Sequence, residues 1–213
     1  VNFIFDPSLV FYLPLCELDG NSFMSGDACG HTCTVTGALW RLGGREFDGV
    51  DDKIDCGQDA SLELEQFTLE AWVKPGTDVS DFRAILTKET GYSDRNFWLA
   101  IYQTTGYLCF RLTVSGVSKA CDSTKAINDE NWHHVLATYD KNYMRLYLDA
   151  SEIERQAETG TPDTSTSNLY IGYEMPTDPR VFLNLIGEVR IYRRALTPQE
   201  IQRNYLGTKW RYQ

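Results

Sequence analysis

Two stretches of the chain have the composition of a sugar site. Gly91-Tyr-Ser-Asp-Arg-Asn96 and Tyr173-Glu-Met-Pro-Thr-Asp-Pro-Arg180 each set an aromatic ring among short polar and acidic side chains. A ring offers a stacking platform, a carboxylate accepts from hydroxyls, and such groups work best on loops over a rigid scaffold. Tyr92, Asp94, Tyr173 and Asp178 are therefore the expected carbohydrate-binding residues. The same segments also read as ordinary solvated hairpin loops. Trp72, Trp98 and Trp132 fall inside apolar runs and read as core or half-buried sheet-face residues rather than platforms.

Catalytic patterns are harder to find. A retaining glycosidase needs two carboxylates about 5–5.5 Å apart across the sugar bond. Glu63-Leu-Glu65 and Glu70 are candidates, and Glu188 has no carboxylate two or three residues on. A nucleophilic triad needs a base, and the chain has 3 histidines. His133 and His134 follow Trp132 into an apolar run and read as structural groups that find a partner. Gly43-Gly44 lacks the spacing and the following helix of a phosphate cradle. The chain is thus expected not to be an enzyme. Cys29-Gly-His-Thr-Cys33 places His31 between two thiols, but zinc would need a second ligand pair that the remaining cysteines do not supply. These residues read as small buried thiols or a disulfide.

Charge narrows the partners. Over 213 residues, 20 Lys and Arg stand against 30 Asp and Glu, a formal net charge of −10. Nucleic-acid backbones need a basic footprint, and anionic membranes attract one, so neither is the expected ligand. No apolar run approaches the roughly 18 residues of a membrane span. From Arg190 onward six basic residues meet one acid, Glu200, so a +5 tail follows a −15 body; it reads first as a solvated basic face, the alternatives being docking on that body or reaching a partner. The cysteine count of 6 leans the chain towards an oxidising compartment, extracellular or surface-displayed. Cys109 and Cys121 stand evenly about a turn near Ser115-Gly116, which predicts that they face each other across a hairpin, where a disulfide fits.

The elements that must carry these loops are strands. Phe67-Thr-Leu-Glu-Ala-Trp-Val-Lys74 and Met144-Arg-Leu-Tyr-Leu-Asp149 alternate apolar and polar, and similar runs fall at Phe97 to Tyr102, Tyr107 to Val114, His134 to Tyr139, Leu169 to Tyr173 and Leu185 to Tyr192. Many short strands between turn clusters predict a sandwich or barrel. The long polar stretch from Ser151 to Ser167 reads as a surface loop or as hiding a strand around Ile153. Thr197-Pro-Gln-Glu200 is a capping box, and it predicts one helix with Ile201, Tyr205 and Leu206 on its apolar stripe and Gly207 at its stop. No linker or repeat is visible, so residues 1–213 are expected to form one domain.

Five segments in order, Phe47-Asp-Gly-Val-Asp-Asp-Lys-Ile54, Phe67 to Pro75, Asn131-Trp-His-His-Val-Leu-Ala-Thr-Tyr-Asp140, Arg145-Leu-Tyr-Leu-Asp149 and Ile186-Gly-Glu-Val-Arg-Ile-Tyr-Arg-Arg-Ala-Leu196, resemble the laminin G-like jelly roll of the concanavalin A-like lectin/glucanase superfamily. The resemblance implies an all-β fold: a two-sheet antiparallel β-sandwich of about six or seven strands per sheet, with one short C-terminal helix. Glucanases of that superfamily carry a Glu-x-Asp-x-x-Glu strand, which this chain lacks. Family members often bind glycans or proteins, and many carry calcium. By resemblance, one structural calcium ion is expected at Asp19, Asp27 and Glu188, although Gly187 stands where relatives have a second acid. Asp48, Asp51 and Asp52 also cluster, in what is first a turn sequence. The expected function is a non-catalytic, lectin-like recognition module for a glycan or a surface protein, with oligomerisation allowed. The alternative is a structural or protein-interaction module, such as an assembly or virion-decoration subunit.

Overall fold

The computed structural model describes residues 6–91, 94–174 and 180–213. The early strands are short: β1 (Leu9–Pro14), β2 (Ser22–Met24), β3 (Thr32–Thr36), β4 (Leu39–Arg41), β5 (Gly44–Asp48) and β6 (Lys53–Asp55). Longer ones follow: β7 (Phe67–Pro75), β8 (Arg83–Gly91), β9 (Asp94–Ile101), β10 (Tyr107–Val114), β11 (Val117–Ala126) and β12 (His133–Tyr139). The chain closes with β13 (Tyr143–Leu148), β14 (Ser151–Ala157), β15 (Tyr170–Ile171), β16 (Leu183–Tyr192) and α1 (Pro198–Thr208).

They form two antiparallel sheets. The first runs β14-β13-β12-β7-β16-β5-β4, with β1 also on β16; the second runs β11-β10-β9-β8-β15-β6-β3-β2. Each has eight strands, more than the six or seven expected, because three-residue strands such as β2 and β4 extend the edges. The polar stretch after Ser151 does hide a strand: β14 pairs along β13.

Alternation sorts side chains to the faces. On β9, Phe97, Leu99 and Ile101 join the core between the sheets, whereas Trp98 and Ala100 point outward. On β10, Leu108, Phe110 and Leu112 point inward and Cys109 outward. Phe67 sits among Phe97, Phe110 and Tyr139, with ring centroids 5.6–6.1 Å away. Burying such a ring contributes about 1.5–3 kcal/mol, which makes this face the main driving force.

The outer faces of the two sheets differ. On the first, α1 covers Leu136, Tyr147 and Tyr192 with Leu196 and Ile201. Its capping box forms as expected, with Thr197 Oγ1 accepting from the Glu200 N–H and Glu200 accepting from the Thr197 N–H. The helix runs through Gly207 rather than stopping there. Thr208 Oγ1 donates to the Asn204 carbonyl and accepts from the Trp72 indole N–H, which ties the last turn to β7. Tyr205 stacks on Trp72 at 5.7 Å, whereas Leu206 is exposed. On the second sheet no helix covers the outer face among the described residues; there Trp98, Ala100 and Cys109 pack under Phe82 and Tyr102.

The expected Cys109–Cys121 pairing fails on register. Cys109 lies opposite Asp122, and Cys121 opposite Phe110, with an irregularity between Tyr107 and Cys109. One residue of offset sends the two thiols to opposite faces of the sheet.

Candidate functional site

The exposed side of the second sheet carries a cleft of about 200 Å³ lined by Phe82, Arg95, Trp98, Tyr102, Arg111, Ser118 and Arg180. Strand pairing builds its floor. Trp98 on β9 lies opposite Thr87 on β8 and Arg111 on β10, so all three share the outward face. Phe82 and Tyr102 meet edge to face at 4.7 Å, and Phe82 meets Trp98 at 5.4 Å. The guanidiniums of Arg95 and Arg111 stand 5.5 and 5.9 Å from the Trp98 ring, and that of Arg180 stands 4.6 Å from Phe82. Cations over ring faces are favourable, more so where water is excluded.

Acidic groups anchor this layer. The Trp98 indole donates to Glu174 Oε2 at 2.5 Å, and Arg180 donates to Glu174 Oε1 at 2.9 Å. Arg95 pairs with Glu89, and Arg111 forms a two-pronged pair with Asp122. Glu89 and Glu174 are buried against each other. Burial, and then the neighbouring Glu89, hold the Glu174 carboxyl up at about 8. Two carboxyls in contact cannot both ionise cheaply, so Glu174 keeps its proton, a donor for the otherwise unpartnered Glu89 Oε1. With both side chains at 2% exposure or less, the two carboxyls hold Arg95 and Arg180 in place.

The residues expected from the sequence fall around this cleft in part. The segments 91–96 and 173–180 both reach it, through Arg95 and through Glu174 and Arg180. Tyr92 and Asp178 lie outside the described residues. Asp94 accepts from Thr90, from the Thr166 N–H and from Thr166 Oγ1, which fastens the 163–167 segment to β9. Tyr173 is 7% exposed, with Lys53 Nζ 4.9 Å above its ring, so little of its face is open to a ligand. Trp98, Arg111, Phe82 and Tyr102 were not singled out as ligand groups. The signal for Trp98 and Arg111 was present in the outward positions of Phe97-Trp-Leu-Ala-Ile101 and Leu108-Cys-Phe-Arg-Leu112.

The groups expected to hold calcium are spread out and already bonded. Glu188 meets Arg190, Arg211 (3.1 Å) and the Tyr12 hydroxyl (3.2 Å). Asp27 accepts from the backbone N–H groups of Tyr12, Cys29 and Gly30. Burial pushes its carboxyl up, but hydrogen bonds from His31, Ser25, Cys29 and Gly30 bring it to about 2. Asp19 is exposed, and the carbonyls on either side of it, Leu18 and Gly20, accept from the buried Arg45. A guanidinium fills the place where those carbonyls converge, so this donor set does not fit a metal ion. Gly187 has its own reason: a Cβ there would stand 2.6 Å from the Tyr212 ring, whose hydroxyl accepts from the Glu188 N–H.

Among the described residues, the acidic group with ligand atoms all within 4.8 Å of one another is Asp48, Asp51 and Asp52. Asp48 and Asp52 border a second cleft of about 400 Å³ with Glu46, Asp78 and Glu130. Burial, and then Asp48 and its acidic neighbours, raise the Asp52 carboxyl, while the Asp48 N–H lowers it. Hard oxygens suit calcium chemistry. This cleft offers no exposed ring for a sugar, its one aromatic being the core residue Phe47.

The histidines are partnered. His134 Nε2 meets Glu70 at 2.8 Å beneath α1, and His133 lies between Asp129 and Asp149 at 3.0 and 3.3 Å. His31 is held by Ser25 and Ser61, with Cys29 exposed and Cys33 in the core, so no zinc cluster forms there.

Comparison with known structures places the fold. The binding domain of Paraclostridial Mosquitocidal Protein 1 superposes with a TM-score of 0.71 at 15% identity, over 93% of this chain and 52% of that one. The binding domain of Botulinum Neurotoxin DC, solved in complex with SialylT, gives 0.73 at 14%, over 94% and 51%. Domain 4 of AbnA, a GH43 extracellular arabinanase from Geobacillus stearothermophilus, solved with arabinotriose, gives 0.73 at 20%, over 92% and 97%. The chain therefore spans about half the length of the toxin domains and nearly all of the arabinanase domain. A family model described as the Concanavalin A-like lectin/glucanases superfamily matches residues 48–202, most of the two-sheet sandwich, and the chain belongs to that superfamily.

Proposed function

We propose that the chain is a non-catalytic carbohydrate-recognition module that takes its glycan in the cleft over Trp98. The observation that carries this is the convergence of three aromatic rings and three arginines on a sheet face that, among the described residues, has no helix over it. Sugar sites need apolar ring faces beside a few fixed polar groups on a rigid scaffold, and a paired β-sheet supplies that rigidity. Support also comes from relatives of the same fold that were solved with arabinotriose and with SialylT. Display outside a cell or on a particle surface belongs to the same proposal. It suits the extracellular arabinanase relative.

A glycan array followed by calorimetry tests it. Tyr102→Ala should weaken binding roughly tenfold, as expected for losing an aromatic contact of about 0.5–1.5 kcal/mol beyond burial. Tyr92→Ala and Tyr173→Ala test whether the flanking loops contribute. An array silent with and without calcium would sink the reading. Calcium at Asp48, Asp51 and Asp52, and not at the expected set, is a separate proposal: a higher melting temperature on adding the ion is expected, and an unchanged melt removes it.

One observation favours the rival, a structural or protein-interaction module. Leu39, Trp40 and Leu42 are 55%, 40% and 88% exposed on and beside the edge strand β4. Exposed apolar edges invite pairing. Light scattering decides here, since a clean monomer counts against an assembly role.

A further inference from the structure

We propose that the glycan bound over Trp98 is acidic, and that a sugar carboxylate seats on Arg111 by displacing Asp122. This rests on the carbohydrate reading above and names its ligand class. Arg111 lies half-buried on the cleft wall, and its two terminal nitrogens meet the two oxygens of Asp122. That is the planar, two-pronged match by which a guanidinium recognises a carboxylate. Asp122 itself is at the rim, its side chain 43% exposed, whereas that of Arg111 is 15% exposed. The chain's own carboxylate thus occupies a built carboxylate seat from the solvent side, where it can swing away.

The charge around the seat supports an anion. Arg95, Arg111 and Arg180 bring three positive charges. Against them stand Asp122, Glu89 and Glu174, and burial beside Glu89 keeps the Glu174 carboxyl protonated up to about pH 8. With Asp122 swung aside, the Arg111 guanidinium loses the carboxylate that takes both of its terminal nitrogens. The arginines of a buried layer are costly unless matched, so a ligand anion fills the place that Asp122 leaves. Phe82 and Tyr102, both partly exposed, offer ring faces beside it for the body of the sugar.

The test uses paired probes: sialyllactose against lactose, and digalacturonate against galactobiose, titrated by calorimetry into the intact chain. Binding of either acidic probe at least tenfold tighter than its neutral partner is expected, and the pair that shows it identifies the kind of acid. Arg111→Ala should abolish that preference. Asp122→Asn should tighten the acidic probe several-fold relative to its neutral partner, a gain that misfolding cannot imitate. Equal affinity for acidic and neutral members overturns the inference and leaves the carbohydrate reading standing. Binding to no probe and to no member of a broad array overturns both. An acidic preference that survives Arg111→Ala, or weaker acidic binding in Asp122→Asn, also overturns it.

Discussion

Glu174 is a carboxyl whose charge its neighbours decide. Glu89 faces it from β8, Arg95 and Trp98 from β9, and Arg180 from its own segment, with Arg111 on β10 beyond the indole. Its folded pKa of about 8 lies above the ordinary value of 4.5. Between those values the folded chain holds a proton that the unfolded chain has released. The contribution is therefore fully present below about pH 4.5 and is lost as pH rises through 8. Glu174→Gln keeps an amide donor for Glu89 and an acceptor for Trp98, but cannot titrate. The variant's melting temperature should fall less than the wild type's between about pH 5 and pH 8. His133, which Asp149 and Asp129 raise against its burial, gives a slope of the same sign in both proteins, so the difference isolates Glu174. Parallel curves would mean that Glu174 is ionised throughout.

Register governs the elements, and it explains what could be read from the chain beforehand. The alternation of β7 and β13 and the capping box of α1 are local patterns, so they stand in the sequence as they stand in the fold. Thr197→Ala should cost about 1 kcal/mol in chemical denaturation, the ordinary value of an N-cap; no loss would mean that packing of Ile201 and Tyr205 alone holds the helix. The cysteines show where local reading stops, because the turn is centred between Ser115 and Gly116: Val114 pairs with Val117, and the same register sets Cys109 opposite Asp122. Cys33 and Cys56, by contrast, stand one step beyond the Thr34–Asp55 pair, both in the core and in contact. Refolding in a glutathione redox buffer followed by peptide mapping should recover a Cys33–Cys56 link and no Cys109–Cys121 link. The reverse would require a one-residue slip of β11 on β10. The cleft was illegible for the same reason. Trp98 and Arg111 become neighbours only when β9 and β10 pair, and Glu174 reaches them from 76 residues away. What could be read was that segments 91–96 and 173–180 held polar and aromatic chemistry. That Arg95, Arg180 and Glu174 converge on the cleft while Tyr173 packs under Lys53 depends on which side chains the sheet turns outward.

At the scale of the molecule, the ends of the chain are joined through its middle. β16 runs beside β7 on one side, and beside β5 and then β1 on the other, so the last strand sits between strands from the first half. The basic tail is part of this closure. Arg190 meets Glu70 and Glu188, Arg194 meets Asp6 and Glu200, and Arg211 meets Glu188, so the +5 segment docks on the acidic body instead of presenting only a solvated face. Both sheets also share one apolar core that includes Leu13 from β1, Leu108 from β10 and Val189 from β16. No half of the sequence can bury its face without the other, which predicts that residues 1–213 unfold as one unit. Calorimetry should show a single transition whose measured enthalpy equals the van 't Hoff value, with a heat-capacity change of about 2.6–3.2 kcal/mol/K for this length. Refolding should be slow for its size, on the millisecond-to-second scale or longer, because the central pairings of β16 await the end of the chain. Two resolved transitions would divide the molecule. Stopping the chain before β16 tests the same point from the other side: such a truncation should leave no cooperative transition, since it removes the partner of β1, β5 and β7 together.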